Sequence, residues 1–233
     1  MRRFRADFRE FRRLEGAQGD GATCPPVTWS ERMPMLFDRT STTTFDRHYV
    51  FHTAWAARIL ARTRPARHVD VASSVYFSAL VSAFVPIEFY DLRPAEMNLS
   101  QLTTGHADLT RLPFPDASLP SLSCMHAVEH VGLGRYGDPL DPGGDRKAMA
   151  ELARVVAPGG SLLFVVPTGR PVVRFNAHRI YAYRHVLEAF PGFTLASFAL
   201  VTDGSAGVLV EDAPESLADA QKYGCGCYWF RRS

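Results

Sequence analysis

Between Leu119 and Pro167 the chain alternates apolar and polar blocks in a regular order. Leu119 to Met125 is a short apolar run. Lys147 to Val156 repeats apolar residues at helical spacing (Ala148, Leu152, Val155, Val156), and Pro158-Gly159-Gly160 breaks that pattern before a second buried run, Ser161 to Val166. Strand, loop, helix, tight turn and strand in this order predict a βαβ unit. The loop between the first strand and the helix carries His126, Glu129, His130, Arg135, Tyr136, Asp138 and Asp141. So dense a polar set at the carboxyl end of a strand points to a binding site rather than a solvated turn.

Upstream, Phe45 to Arg64 places Tyr49, Thr53, Ala56 and Leu60 on one helical side and is ended by Pro65. Short apolar runs at His68 to Val71 and Ile87 to Tyr90, and one around Gly105 to Asp108, predict strands, with a short helix over Ala79 to Phe84. Downstream, a helix near Tyr183 to Phe190 precedes strand-like runs at Thr194 to Val201 and Cys225 to Arg231, and Asp203 to Tyr223 between them is polar and loop-rich. This alternation predicts an α/β protein with a doubly wound, mostly parallel sheet and an antiparallel pair at its C-terminal edge. At the front, Phe4, Phe8, Phe11 and Leu14 predict a short amphipathic helix docked by its phenylalanine stripe, and Gly16 to Pro34 reads as a linker or lid. The expected organisation is therefore 1–44, an N-terminal helix with a Gly/Pro-rich lid or linker, followed by 45–233, the main domain.

Composition narrows the function classes. A chain of 233 residues with 46% hydrophobic content can bury one sizeable core, and a net charge of +2 gives no overall attraction to nucleic acid or a membrane. No apolar run approaches the ~20 residues of a membrane span, and no signal-peptide core follows the first arginines, so a soluble cytoplasmic protein acting on a small molecule is expected. Self-association or a protein partner stays open. Cys24, Cys124, Cys225 and Cys227 lack zinc-type spacing and are expected as reduced thiols.

Asp70, Asp91 and Asp108 each stand at or near the carboxyl end of a predicted strand. Asp70 and Asp91 are 21 residues apart, which suits a βαβ pair whose second acid accepts hydrogen bonds from a ribose diol. With these acids in place, the chain resembles the class I S-adenosylmethionine-dependent methyltransferases. HVDVASS is similar to that superfamily's first motif, EFYDLRP to its ribose acid, HADLTRLPFPD to its adenine segment, and ELARVVAPGGSLLFVVP to its helix-turn-strand. EHVGLGRYGDPLDPGGD and FNAHRIY further resemble an uncharacterised branch of methyltransferase-like proteins found in bacteria and nematodes. The resemblance implies a seven-stranded Rossmann-like sheet and S-adenosylmethionine as cofactor. It also implies that Asp91 and Leu92 hold the ribose, Asp108 and Leu109 the adenine, and Asp70, Ala72 and Ser73 the methionine end, with His126 beside them. One departure stands out: the superfamily's glycines after the first strand are replaced by Ala72, Ser73 and Ser74, which narrows the cavity and disfavours positive φ. Ser73 and Ser74 could instead donate to the methionine carboxylate or to another anion.

His126-Ala127-Val128-Glu129-His130 matches the inverted zincin pattern, but a strand before it and Gly132 and Gly134 after it deny the continuous helix that pattern needs. Some catechol-type O-methyltransferases hold Mg²⁺ with acids and a histidine in this segment, where Glu129 and His130 match two of the positions; with His126 where an acid would stand, the set favours Zn²⁺, Fe²⁺ or no metal over Mg²⁺, and no metal is the expectation. His130 is then the expected base, Glu129 its orienting partner and His126 their neighbour. Tyr136, Asn176, His178 and Arg179 are expected to face the acceptor, although Arg179 could equally pair with Asp141 or Asp145, and Tyr136 could serve only to order its turn. His48 and Tyr49 could close over the cofactor. The reading is methyl transfer to oxygen or nitrogen of a small polar or sugar-like metabolite. The alternatives are the same scaffold performing elimination or cyclisation, or a non-catalytic ligand-binding partner subunit.

Overall fold

A computed structural model describes residues 1–17, 25–204 and 207–233; Cys24 lies outside the described residues. The chain divides into two compact units, Met1–Phe45 and Asp46–Ser233. In the first, helix α1 (Arg2–Ala17) takes in Gly16, where a linker was expected to start, and buries none of its residues. Phe4 and Phe8 pack on Trp29, with ring centroids 6.2 and 4.9 Å away, whereas Phe11 and Leu14 stay exposed. The expected docking of the whole stripe is thus limited to its first half.

The second unit is built on an eight-stranded sheet of order β3-β2-β1-β4-β5-β10-β8-β9. Strands β1 (His68–Val71), β2 (Ile87–Asp91), β3 (Leu102–His106), β4 (Leu119–Met125) and β5 (Val156–Thr168) are parallel. Strands β8 (Phe193–Val201), β9 (Leu209–Glu211) and β10 (Gly224–Arg232) add antiparallel pairings. The eighth strand is β9, which with helix α6 (Glu215–Ala220) occupies the region expected to be loop. Both are too short, at three and six residues, to carry a readable period. A separate hairpin, β6 (Val172–Arg174) with β7 (His178–Ile180), follows β5.

Layering follows from alternation along the strands. In β5, Leu162, Phe164 and Val166 join one apolar cluster with Ala148 and Leu152 of helix α4 (Gly144–Val155) and Val186 of helix α5 (Tyr183–Glu188). Leu163 and Val165 join the opposite cluster with Trp55, Ile59 and Leu60 of helix α2 (Arg47–Thr63) and Phe77 and Val81 of helix α3 (Val75–Val81). A sheet covered on both faces explains why the central strands read as unbroken apolar runs. Helix α2 starts where the Tyr49 amide donates to the Asp46 side chain at 3.2 Å, and it ends at Arg64, in left-handed conformation before Pro65. Helix α3 begins four residues earlier than expected, directly after Ser74. The expected turn between α4 and β5 is a bulge within β5: Leu119 pairs with Val156 and Ser121 with Ser161, leaving residues 157–160 between. Among the described residues no helix is long and apolar enough to cross a membrane.

Candidate active site

The chain runs from β1 outward to β2 and β3, then returns to β4 on the other side of β1. That reversal leaves a crevice beyond the carboxyl ends of β1 and β4, where open α/β sheets bind ligands. A cavity of about 250 Å³ occupies it, lined by Ala72, Ser73 and Ser74 after β1, Asp91, Leu92 and Arg93 at the end of β2, Ala107, Asp108 and Leu109 after β3, and Met125, His126 and Ala127 at the end of β4; Tyr49, His130, Val131, Tyr136 and Asp138 complete the wall. A second cavity, of about 280 Å³, adjoins it. Tyr49, His126, His130 and Tyr136 line both, and Asp46, Arg47, His48, Glu129, Arg135 and Tyr223 line only the second.

The replaced glycines do not close the crevice. Ala72 takes up the left-handed conformation itself, at φ 58°, although its Cβ makes that state costly by roughly 1 kcal/mol. Tyr76 points away and is 79% exposed. Asp91 Oδ1 accepts the Arg93 amide at 2.7 Å, and Asp108 Oδ1 accepts both the amide and the hydroxyl of Thr110 at 2.8 Å. Each acid is therefore held by its own turn while lining the cavity.

Asp70 departs from its expected role. It is fully buried and absent from the cavity wall, and its carboxylate accepts hydroxyls from Ser73 at 2.6 Å, Ser78 at 2.9 Å and Ser123. Ser73 also accepts the Met125 amide at 3.0 Å, so Asp70 fixes the first loop against β4. Burial pushes the Asp70 carboxyl up to about 6 against these three bonds. The network continues to His68, whose ring nitrogens meet the Ser121 and Ser123 hydroxyls at 2.8 and 2.9 Å and whose pKa burial lowers to about 3.

Glu129 is also partnered differently. Its Oε1 is 2.8 Å from Nδ1 of His126 and 3.8 Å from Nε2 of His130, so it orients His126 first. The cause is local: His126 turns into the left-handed region, at φ 55°, and a 3-10 turn over Val128–His130 brings Glu129 back beneath it. His130 has its own fixed geometry. Its Nδ1 lies 2.6 Å from the Ala177 carbonyl, which calls for a proton on Nδ1 and leaves the Nε2 lone pair available. Burial lowers the His130 pKa, keeping the ring neutral near pH 7. Arg135, 5.1 Å over the Tyr136 ring, and Arg93, 4.5 Å over it, hold that ring at the junction of the two cavities.

Three expected acceptor residues line neither cavity. Arg179 is buried, donates to the Val131 carbonyl at 2.7 Å and sits 3.5 Å from Asp145, so it braces the loop after β4. Asn176 donates to the Leu133 carbonyl at 3.4 Å. The His178 ring packs 4.8 Å from Tyr223. Of the expected acceptor residues, only Tyr136 faces the cavities. His48 and Tyr49 do stand at the second cavity, where burial lowers the His48 pKa to about 4 and raises that of Tyr49 to about 12. Tyr223 was not anticipated, because it reaches the site only through β10 crossing beside β5. Arg93, next to Asp91-Leu92, could have been read from adjacency.

Comparison with known proteins agrees with this architecture. Residues 117–211, which include both EHVGLGRYGDPLDP and FNAHRIY, match the family described as Caenorhabditis protein of unknown function, DUF268. A demethylmenaquinone methyltransferase of Deinococcus radiodurans is 28% identical over 184 residues, covering 72% of this chain and 70% of that protein. The N-methyltransferase NodS of Bradyrhizobium japonicum, solved with S-adenosylhomocysteine, superposes with a TM-score of 0.52 at 14% identity, over 79% of this chain and 87% of that one. The [4+2]-cyclase SpnF superposes with a TM-score of 0.51 at 13% identity, over 77% and 80%. The strand order, the crevice at the switch point and these superpositions together give the chain the fold of the S-adenosylmethionine-dependent methyltransferases.

Proposed function

We propose that this protein is a cytoplasmic enzyme that transfers a methyl group from S-adenosylmethionine to oxygen or nitrogen of a small polar or sugar-like acceptor. The observation that carries the reading is the pair of adjoining cavities that share a wall of Tyr49, His126, His130 and Tyr136. The first has the residues a sulfonium nucleoside requires: Asp91 for the ribose diol, Asp108 and Leu109 for the adenine edge, and Ala72 with Ser73 at the methionine end. S-adenosylmethionine supplies an electrophilic methyl group on sulfur. The chain's part is to align an acceptor in the second cavity with that methyl and to take up one proton. His130 is the proton acceptor, through Nε2, and Glu129 positions it only secondarily, since its nearer bond is to His126. Asp46, Arg47 and Arg135 around the second cavity suit a polar acceptor. The methyltransferase from Deinococcus, at 28% identity, supports methyl transfer over the other chemistries this fold carries.

Calorimetry with S-adenosylmethionine and S-adenosylhomocysteine tests the reading. Binding tighter than about 100 μM, weakened at least tenfold by Asp91→Ala, is expected. No heat with either ligand overturns it and favours elimination, cyclisation or a purely ligand-binding role on the same scaffold.

A further inference from the structure

Three donors that lie far apart in the chain converge beside the second cavity: His48 at the first turn of α2, His126 after β4 and Cys225 in β10. A ring nitrogen of each histidine and the cysteine sulfur lie within 4.8 Å of one another. His126 Nε2 is 3.3 Å from Cys225 Sγ. At a tetrahedral zinc, bonds of about 2.0 Å to nitrogen and 2.3 Å to sulfur place neighbouring ligand atoms about 3.3 to 3.5 Å apart. One edge of the cluster already has that length, and the others need a side-chain adjustment on the order of 1 Å.

The surroundings are those of a ligand set. A metal-bound histidine hands its second ring nitrogen to a carboxylate or a backbone carbonyl, which fixes the tautomer and aims the other nitrogen. His126 meets the buried Glu129 carboxylate through Nδ1 at 2.8 Å, leaving Nε2 directed at Cys225. The His48 ring stacks on those of His126 and Tyr223, with centroids 5.3 and 5.0 Å away. His52 lies one turn along from His48, on the same face of α2, with its ring 5.1 Å from that of His126. It is fully buried, and neither of its nitrogens has a hydrogen-bond partner among the described residues. Two buried ring nitrogens without a partner beside this cluster leave a polar demand that the neighbouring side chains do not meet. His126 itself sits in a left-handed backbone state, a cost of the kind that accumulates at functional sites.

We infer that His48, His126 and Cys225 bind a borderline-soft divalent ion of zinc's class, with the fourth position turned toward the second cavity. Two imidazoles and a thiolate select zinc, or cobalt in its place, over magnesium or calcium. Because His48 and His126 both line the second cavity, the open position takes a water, or a hydroxyl, amine or thiol of whatever occupies it. The inference stands apart from the methyl donor, and its test needs none.

The test uses the full chain, purified without a histidine tag, stripped with a chelator and titrated with Co²⁺. The expected result is about one Co²⁺ per chain, with tetrahedral visible bands and a near-ultraviolet thiolate-to-cobalt band. Cys225→Ser should remove the thiolate band, Cys227→Ser should retain it, and His48→Ala and His126→Ala should each weaken binding at least tenfold, with circular dichroism checking that each variant is folded. Failure of the folded wild-type chain to bind at micromolar Co²⁺ overturns the inference and leaves the His126–Cys225 contact as a hydrogen bond. So does a thiolate band that survives Cys225→Ser. Either result leaves the calorimetric test of the methyl donor unaffected.

Discussion

Asp70 makes the protein's stability depend on pH in a direction opposite to that of an ordinary carboxylate. Its carboxyl is fully buried, and burial outweighs three hydroxyl bonds to lift it from 3.8 to about 6. The folded protein therefore holds this proton more tightly than the unfolded chain does. Unfolding free energy falls as pH rises from about 4 to about 6 and is level above that range. The separation of the two values corresponds to about 3 kcal/mol. Asp70→Asn keeps the shape and abolishes the charge, and the serine hydroxyls can rotate to accept from the new amide. Chemical denaturation of both proteins at pH 4, 5, 6 and 7.5 isolates the group, since titrating residues that are not coupled to Asp70 or its serines cancel in the difference. Relative to wild type, the variant should gain about 3 kcal/mol between the acid and neutral ends of the series. Its affinity for S-adenosylmethionine should change less than about threefold, because Asp70 does not line the cavity. A wild-type-minus-variant difference that is flat with pH, or that runs the other way, would refute the assignment of this buried charge.

Other outcomes follow from the same geometry. Ala72→Gly should leave stability unchanged or raise it by up to about 1 kcal/mol, because relief of the left-handed strain at φ 58° opposes the usual entropic cost; a clear drop in melting temperature counts against that strain. Gly132→Ala should destabilise by about 3 kcal/mol or more in thermal denaturation, since φ is 79° and the new methyl would collide with the Asp141 carbonyl. Arg154→Ala should cost about 1 to 2 kcal/mol, because the guanidinium ties the loop after β3 to α4 through Glu151, Asp116 and the carbonyls of Leu112 and Phe114. With His130 acting through its neutral form, the acid limb of kcat/KM should lie below pH 6.5 and vanish in His130→Asn; a limb above that value would assign the proton to another group.

Periodicity settled more of this protein than its chemistry did. The apolar runs of β1, β2, β4 and β5 and the helical spacing of α2 and α4 were legible because each is long or largely buried. The acid Asp91 was readable for the same reason, since position at the end of a strand is a one-dimensional fact; Asp108, expected within a strand around 105–108, stands two residues beyond β3, which ends at His106. The direction of a side chain is not a one-dimensional fact. Asp70 looks equivalent to Asp91 along the chain, yet Asp70 pairs with Phe89, two residues inside the end of β2, and is enclosed by three serines, while Asp91 stands at the strand end and borders the crevice. Arg179 and Asn176 follow β5 as acceptor residues would, but the β6–β7 hairpin turns them onto the backbone of the preceding loop. The partners of Cys225 were out of reach altogether. Spacing rules for metal ligands assume donors close in sequence, whereas here 99 residues separate His126 from Cys225. Only the antiparallel insertion of β10 beside β5 brings the cysteine under the end of β4, and only the packing of α2 on that face sets His48 and His52 above it. Local pattern fixes what a segment is; which segments become neighbours depends on how the sheet closes its two faces, and that is decided in three dimensions.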